Sequence, residues 1–198
     1  KKSLKYAKSK RLQIVIPASD LHIRYSVSDD KNTILKNVKS VVQYAKTKFN
    51  DIQFTAQDAP RANLDFLKKL IDIAVYNGIK IVCLPDTTGY CLPYEYKALI
   101  KNIKTFVKKD ILISAHCHND LGLATANTIA AIEAGVDQIE GTINGIGERA
   151  GNTPLEEVAA ILDLKYKSRY KTNLNLNCFR AVSKSLEEVI NYNIHFNK

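Results

Sequence analysis

The 198 residues carry 29 Lys and Arg against 20 Asp and Glu, a formal charge of +9, with 45% hydrophobic residues and no Met or Trp. That apolar content builds the core of one domain, or of a large piece of one, and no apolar run approaches the ~18–20 residues of a membrane span. The lysines are scattered over amphipathic helices such as Ile34–Lys48 and Leu64–Tyr76 without a compact Arg patch and stacking aromatics, so the basic balance reads as solvated faces and neither a nucleic-acid nor a membrane partner is expected.

The start, Lys1 to Arg11, is basic but lacks the apolar core of a signal peptide, and with no initiator Met the chain reads as a processed or excised segment. From there a unit of short β-rich run, loop and amphipathic helix repeats. Strands are expected at Leu12–Pro17, Asp51–Thr55, Lys80–Leu84, Ile111–Ala115 and Gln138–Ile143. Helices are expected at Thr33–Phe49, Asn63–Asn77, Pro93–Lys108, Leu121–Ala134 and Pro154–Leu164. Regular alternation argues for a parallel sheet with helical crossovers. Gly78 and Gly135 stand where helices should stop. Thr153-Pro154-Leu155-Glu156 reads as an N-cap, a first-turn Pro and a capping-box Glu. Residues 165–198 differ: an Asn-rich link leads to a helix at Phe179–Asn191 that opens a further subdomain, with His195 on the surface. The four cysteines (Cys83, Cys91, Cys117, Cys178) have neither CxxC spacing nor a disulfide framework, which fits a reducing cytoplasm.

The chemically distinctive residues gather at the carboxyl ends of the expected strands. Ser19, Asp20 and His22 follow the first, Gln57 and Asp58 the second, Asp86 and Thr87 the third, His116 and His118 the fourth, and Asn144 to Asn152 the fifth. In parallel α/β folds ligands bind at that edge. The expected fold is a partial TIM (β/α)8 barrel, about five βα units plus a C-terminal helical extension. A full barrel takes eight strands and ~250 residues, so residues 1–164 correspond to its carboxyl-terminal five-eighths.

The run Ala115-His116-Cys117-His118-Asn119-Asp120-Leu121-Gly122 is the most informative. Residues i and i+2 of an extended chain share a face, so both imidazoles reach one metal ion while Cys117 points away. A catalytic metal needs a third protein ligand. The competing reading is two histidines satisfied by hydrogen bonds in a loop or core. Thr87 could end a turn with Asp86 and Gly89, Asn152 could satisfy loop backbone, and Asp120 reads as a helix cap or as an orienting partner of a ligand histidine. A phosphate-loop reading of Gly145–Gly151 fails on spacing, and Glu148 would repel phosphate. Cys117 packs inside.

His116-Cys117-His118-Asn119-Asp120-Leu121-Gly122-Leu123-Ala124, followed by Asn144-Gly145-Ile146-Gly147-Glu148-Arg149-Ala150-Gly151-Asn152, closely resembles the 2-isopropylmalate synthase family. These are acyl-CoA-condensing metallo-enzymes on TIM barrels, grouped with homocitrate and citramalate synthases. Pro85-Asp86-Thr87-Thr88-Gly89-Tyr90 and Phe54-Thr55-Ala56-Gln57-Asp58-Ala59 resemble two more of its strand-end motifs, and the likeness runs from about Leu4 to Leu162. The resemblance implies a Claisen condensation of acetyl-CoA with a 2-oxo acid whose carbonyl is polarised by a divalent ion, Mn²⁺ first and Zn²⁺ or Mg²⁺ next. It implies His116, His118 and Asn152 at the metal, Thr87 on the oxo-acid carboxylate and His22 lining the pocket. Gly145, Gly147, Glu148 and Gly151 then lie where the thioester approaches.

Two departures stand out. The family's amino-terminal Arg-Asp strand, with its metal ligand and its oxyanion-stabilising arginine, has no counterpart here. Gln57 stands where the family usually has Glu, and an amide cannot take a proton as a general base. Gln53, where homocitrate synthases tend to use Arg, points to an uncharged branched substrate such as 2-oxoisovalerate, with pyruvate as the other candidate. A homo-oligomer or a complementing barrel half is the expected partner; a non-catalytic truncated remnant of the family is the competing reading.

Overall fold

The computed structural model describes residues 4–27 and 30–191. Five strands, β1 (Arg11–Pro17), β2 (Asp51–Gln57), β3 (Ile81–Asp86), β4 (Leu112–Cys117) and β5 (Gln138–Glu140), form one sheet in chain order. Every neighbouring pair is parallel. A short helix α1 (Asp20–His22) and a π-helical turn (Ile23–Val27) follow β1. The crossovers are α2 (Lys31–Lys46), α3 (Leu64–Tyr76), α4 (Pro93–Phe106) and α5 (Ala124–Glu133), with α6 (Leu155–Lys165) after β5 and α7 (Phe179–Ile190) beyond it. This is the arc of a partial (β/α)8 barrel. Among the described residues no helix is long and apolar enough to cross a membrane.

Strand alternation sorts the two faces of the arc. Ile52, Phe54, Ala56, Val82, Leu84, Ile113, Ala115 and Cys117 join the core beneath the helices. Thr55, Gln57, Cys83, Pro85, His116 and Glu140 line a cleft on the inner side. Period-2 geometry thus places one set under the crossovers and the other in the barrel's mouth. Burial pushes the Cys117 thiol up to about 12, so it stays a neutral packing group.

Helix α3 shows how the outer layer forms. The Asn63 side chain caps it by accepting the Phe66 N–H at 3.1 Å. Phe66, Leu67, Leu70, Ile71 and Ala74 are buried, the stripe of an amphipathic helix. Each fully buried leucine or isoleucine contributes ~1.5–3 kcal/mol of apolar transfer. The helix ends at Asn77, ahead of Gly78.

The arc is drawn together on its inner side. Arg11 grips the Asp51 carboxylate through Nε and donates from Nη1 to Gln138 Oε1 at 2.8 Å. Side chains of the first and last strands therefore meet although their backbones do not pair.

Four local expectations change. Helix α5 starts at Ala124, after Gly122 takes φ +72°, and its first N–H is accepted by Asn119 Oδ1; Asp120 caps nothing. Strand β5 ends at Glu140 rather than at residue 143, because Gly141 lies against the Thr153 carbonyl and Asn144 adopts φ 58° in a 3₁₀ turn (Ile143–Gly145). Helix α6 takes Pro154, not Thr153, at its N-cap. The Thr153 hydroxyl instead pairs with Thr128 at 2.8 Å, and the Glu156 carboxylate accepts the Asn144 N–H. Residue His195 lies outside the described residues.

Candidate metal centre

His116, on the inner face of β4, and His118, one residue past its end, converge. Their Nε2 atoms lie 3.2 Å apart, with ring centroids at 4.9 Å and planes at 71°. Two nitrogens each ~2.0–2.1 Å from one ion span such a gap at a coordination angle near 100°. Asn152, in the loop after β5, lines the same cleft. Asn152 bridges to His118 in an isolated antiparallel contact, flanked by Asn119 N–H to Gly151 O (2.9 Å) and Thr153 N–H to Cys117 O (3.1 Å). The Asn152 Oδ1 is buried without a hydrogen-bond partner, as are Nδ1 of His116 and Nδ1 of His118. Among the described residues no three His, Cys, Asp or Glu side chains converge on a metal position. A cation in this cleft would meet two imidazoles and one amide, all neutral.

Burial lowers the pKa of both histidines. For His116 the charges of Glu140 and Glu148 oppose that effect without overcoming it. For His118 the neighbouring His116 and Arg149 add to it, against Glu148 and Asp120. Both rings are held neutral, the form that ligates.

The expected loop residues shape this corner. At Gly147 a Cβ would fall 2.7 Å from the Asn152 amide, so glycine leaves that amide its room. At Gly151 (φ +92°) a Cβ would fall 2.1 Å from the Gly145 carbonyl, which accepts the Asn152 N–H at 2.8 Å. Glu148 sits on the cleft rim. Thr87 lines the same cleft, and its Oγ1 accepts the Asp58 N–H at 2.9 Å, leaving its own proton to donate. Gln57 also lines it. His22 does not: its Nδ1 lies 3.5 Å from Asp58 Oδ2, within a buried Asp58–Arg61 ion pair. Gln53 is likewise absent from the lining. It is buried and bonded to Glu140, so the β1 side of the pocket is Gln13 and Val15.

Two features escape sequence reading. Glu140 faces His116 Nδ1 at 3.5 Å, and its place two residues after Gln138 on an inward-facing strand was the available signal. Arg149 binds both oxygens of Asp120 (2.6 and 2.7 Å) and the Thr87 carbonyl (2.8 Å), tying together the ends of β3 and β4 and the loop after β5. That ion pair holds the Asp120 carboxyl below its ordinary range. No periodicity announces a contact between residues 29 apart.

The cleft has a volume of about 400 Å³, and besides these groups its walls are Val15, Thr55, Cys83 and Pro85. Among the described residues its lining includes no Lys or Arg.

"2-isopropylmalate synthase 1" of Caldanaerobacter subterraneus subsp. tengcongensis is 46% identical over 165 residues, 82% of this chain and 42% of that protein. The 2-isopropylmalate synthase of Parabacteroides distasonis is 39% identical over 198 residues, 99% of this chain and 40% of that protein. The chain thus spans about two fifths of the length of these relatives. In fold it is similar to an HMG-CoA lyase of Acinetobacter baumannii solved with coenzyme A and 3-methylmalate, with a TM-score of 0.78 at 20% identity, covering 93% of this chain and 63% of that one. A family model described as HMGL-like matches residues 1–186, and the chain belongs to the HMGL-like family.

Proposed function

We propose that this chain is the metal-bearing barrel segment of a 2-isopropylmalate synthase, which joins acetyl-CoA to 2-oxoisovalerate and releases 2-isopropylmalate and CoA. The observation that carries the reading is the approach of His116 Nε2 and His118 Nε2 to 3.2 Å in a cleft that Asn152, with its buried and unpartnered Oδ1, also lines. These three would hold a divalent cation, Mn²⁺ in the first instance. When bound, the cation supplies Lewis acidity toward the keto oxygen of the oxo acid.

The chain's own residues do the rest. Thr87 donates its free hydroxyl proton to the oxo-acid carboxylate. The neutral wall of Val15, Thr55, Cys83 and Pro85 accepts a branched apolar side chain and offers no cation to a second carboxylate, which disfavours 2-oxoglutarate. Gln57 orients through hydrogen bonds but takes no proton. The loop Gly145–Gly151, with Glu148 at its rim, borders the approach of the thioester. In the proposed enzyme further strands close the arc against β1 and β5, whose outer edges pair with no strand among the described residues.

Calorimetric titration of Mn²⁺ into the chain tests the reading. Binding in the micromolar range is expected, lost in His118→Ala and strengthened by 2-oxoisovalerate but not by 2-oxoglutarate. Absence of Mn²⁺ binding, or binding unchanged in His118→Ala, overturns it.

A further inference from the structure

Barrel interiors are ordinarily filled by layers of branched apolar side chains, but the layer beneath His116 is polar and directional. Arg11 donates to Gln138 Oε1 at 2.8 Å, which turns the Gln138 amide nitrogen toward Gln53 Oε1 (3.1 Å), Ser114 Oγ (2.9 Å) and Glu140 Oε1 (3.2 Å). With their acceptor atoms so occupied, Gln53 donates from Nε2 to Glu140 Oε1 at 2.7 Å, and Ser114 donates its hydroxyl proton to the same oxygen at 2.9 Å. Three donors, carried by β2, β4 and β5, therefore converge on one carboxylate oxygen. The other oxygen, Oε2, lies 3.5 Å from His116 Nδ1, a buried nitrogen that makes no hydrogen bond in the structure.

We propose that Glu140 is a positioning residue that keeps the His116 proton on Nδ1, so that Nε2 presents a bare lone pair to the cation. The inference rests on the metal reading above. Its logic is that both ends of the side chain must accept hydrogen bonds, which only a carboxylate does. In the metal-free chain the neighbouring ring completes the pattern: with His116 Nε2 an acceptor, the proton in the 3.2 Å gap belongs to His118 Nε2, and it moves to Nδ1 when a cation takes that lone pair. Outer partners of this kind are worth ~10–100-fold in metal affinity.

The variant that isolates the effect is Glu140→Gln. Its amide oxygen must serve the three donors, which aims the NH₂ group at His116 Nδ1 and drives the ring to the Nε2–H form. Nitrogen-15 shifts of histidine-labelled protein, recorded at neutral pH before metal is added, are expected to report Nδ1–H for His116 and Nε2–H for His118. In Glu140→Gln, His116 should switch to Nε2–H and Mn²⁺ affinity should fall ~10–100-fold. Ser114→Ala removes one donor with little steric change and should shift both readouts the same way by a smaller factor. Finding Nε2–H on His116 in the unaltered chain overturns the proposal, even if Glu140→Gln fails to fold. So does a folded Glu140→Gln with unchanged tautomer or unchanged affinity. If the unaltered chain binds no Mn²⁺, the metal reading falls while the tautomer result still decides the role of Glu140.

Discussion

Gly151→Ala should cost the fold more than a substitution in a loop normally does, because Gly151 is buried, and the structure supplies its control. At φ +92° an added Cβ meets the Gly145 carbonyl at 2.1 Å, a contact that must be relieved by moving backbone. That carbonyl accepts the Asn152 N–H, so relief breaks this bond or the adjacent one from Asn119 N–H to Gly151 O. The left-handed conformation alone costs an L-residue ~1–2 kcal/mol, and a lost hydrogen bond adds ~0.5–1.5 kcal/mol. Gly122 has φ +72° with nothing within 4 Å of the same built Cβ, so Gly122→Ala carries only the conformational cost. With a urea slope of ~1–3 kcal/mol per molar, Gly151→Ala should lower the unfolding midpoint by roughly 1–2 M, and Gly122→Ala by about half of that. Mn²⁺ affinity should fall in the first variant and not in the second, since only the first displaces Asn152. Equal midpoints for the two variants would refute the steric argument.

Two further outcomes follow from the site. His116 and His118 have native pKa values depressed by burial, so between those values and ~6.5 the unfolded chain binds more protons than the native one. Stability should therefore rise with pH through this window and decline as the pH falls below ~6.5, a slope read from thermal midpoints; a His116→Asn, His118→Asn double variant should flatten it, and an unchanged slope would place the effect elsewhere. Arg149→Met removes the grip on Asp120 and the Thr87 carbonyl, but the arginine side chain is 43% exposed, so global stability should change by no more than ~1 kcal/mol. Hydrogen exchange should nonetheless accelerate at the Asn119 and Asn152 amides; unaltered protection there would show that Arg149 does not hold the loop.

Much of this was legible because strand and helix periods are strong local signals. The recurring unit of short apolar run, loop and amphipathic helix announced the parallel sheet. The pairing of His116 with His118 followed from i, i+2 spacing alone. What could not be read depends on contacts distant along the chain. Thr153 has the look of a helix cap, yet Thr128, 25 residues away, claims its hydroxyl. Asp120 sits where a cap belongs, but Gly122 delays the helix and Arg149 takes the carboxylate. Gln53 was expected to face the substrate because homocitrate synthases tend to use Arg there, but the fold places it a layer below, against Glu140 and Gln138. His22 follows its strand as a ligand would, and turns toward Asp58 instead.

The hydrophilic lining of the concave surface bears on what an arc of five parallel strands shows to solvent. Were Gln13, Gln53, Thr55, Ser114 and Gln138 the usual valines and leucines, opening the cylinder would wet a broad greasy wall. Here the amides and hydroxyls satisfy one another first, with Gln13 bonded to Thr55 and Arg11 hooked to Gln138, and what remains is at ease with water. The same trait sets terms for whatever completes the ring: newcomers must bring matching polar groups or unhook Arg11, so closure is selective rather than merely adhesive.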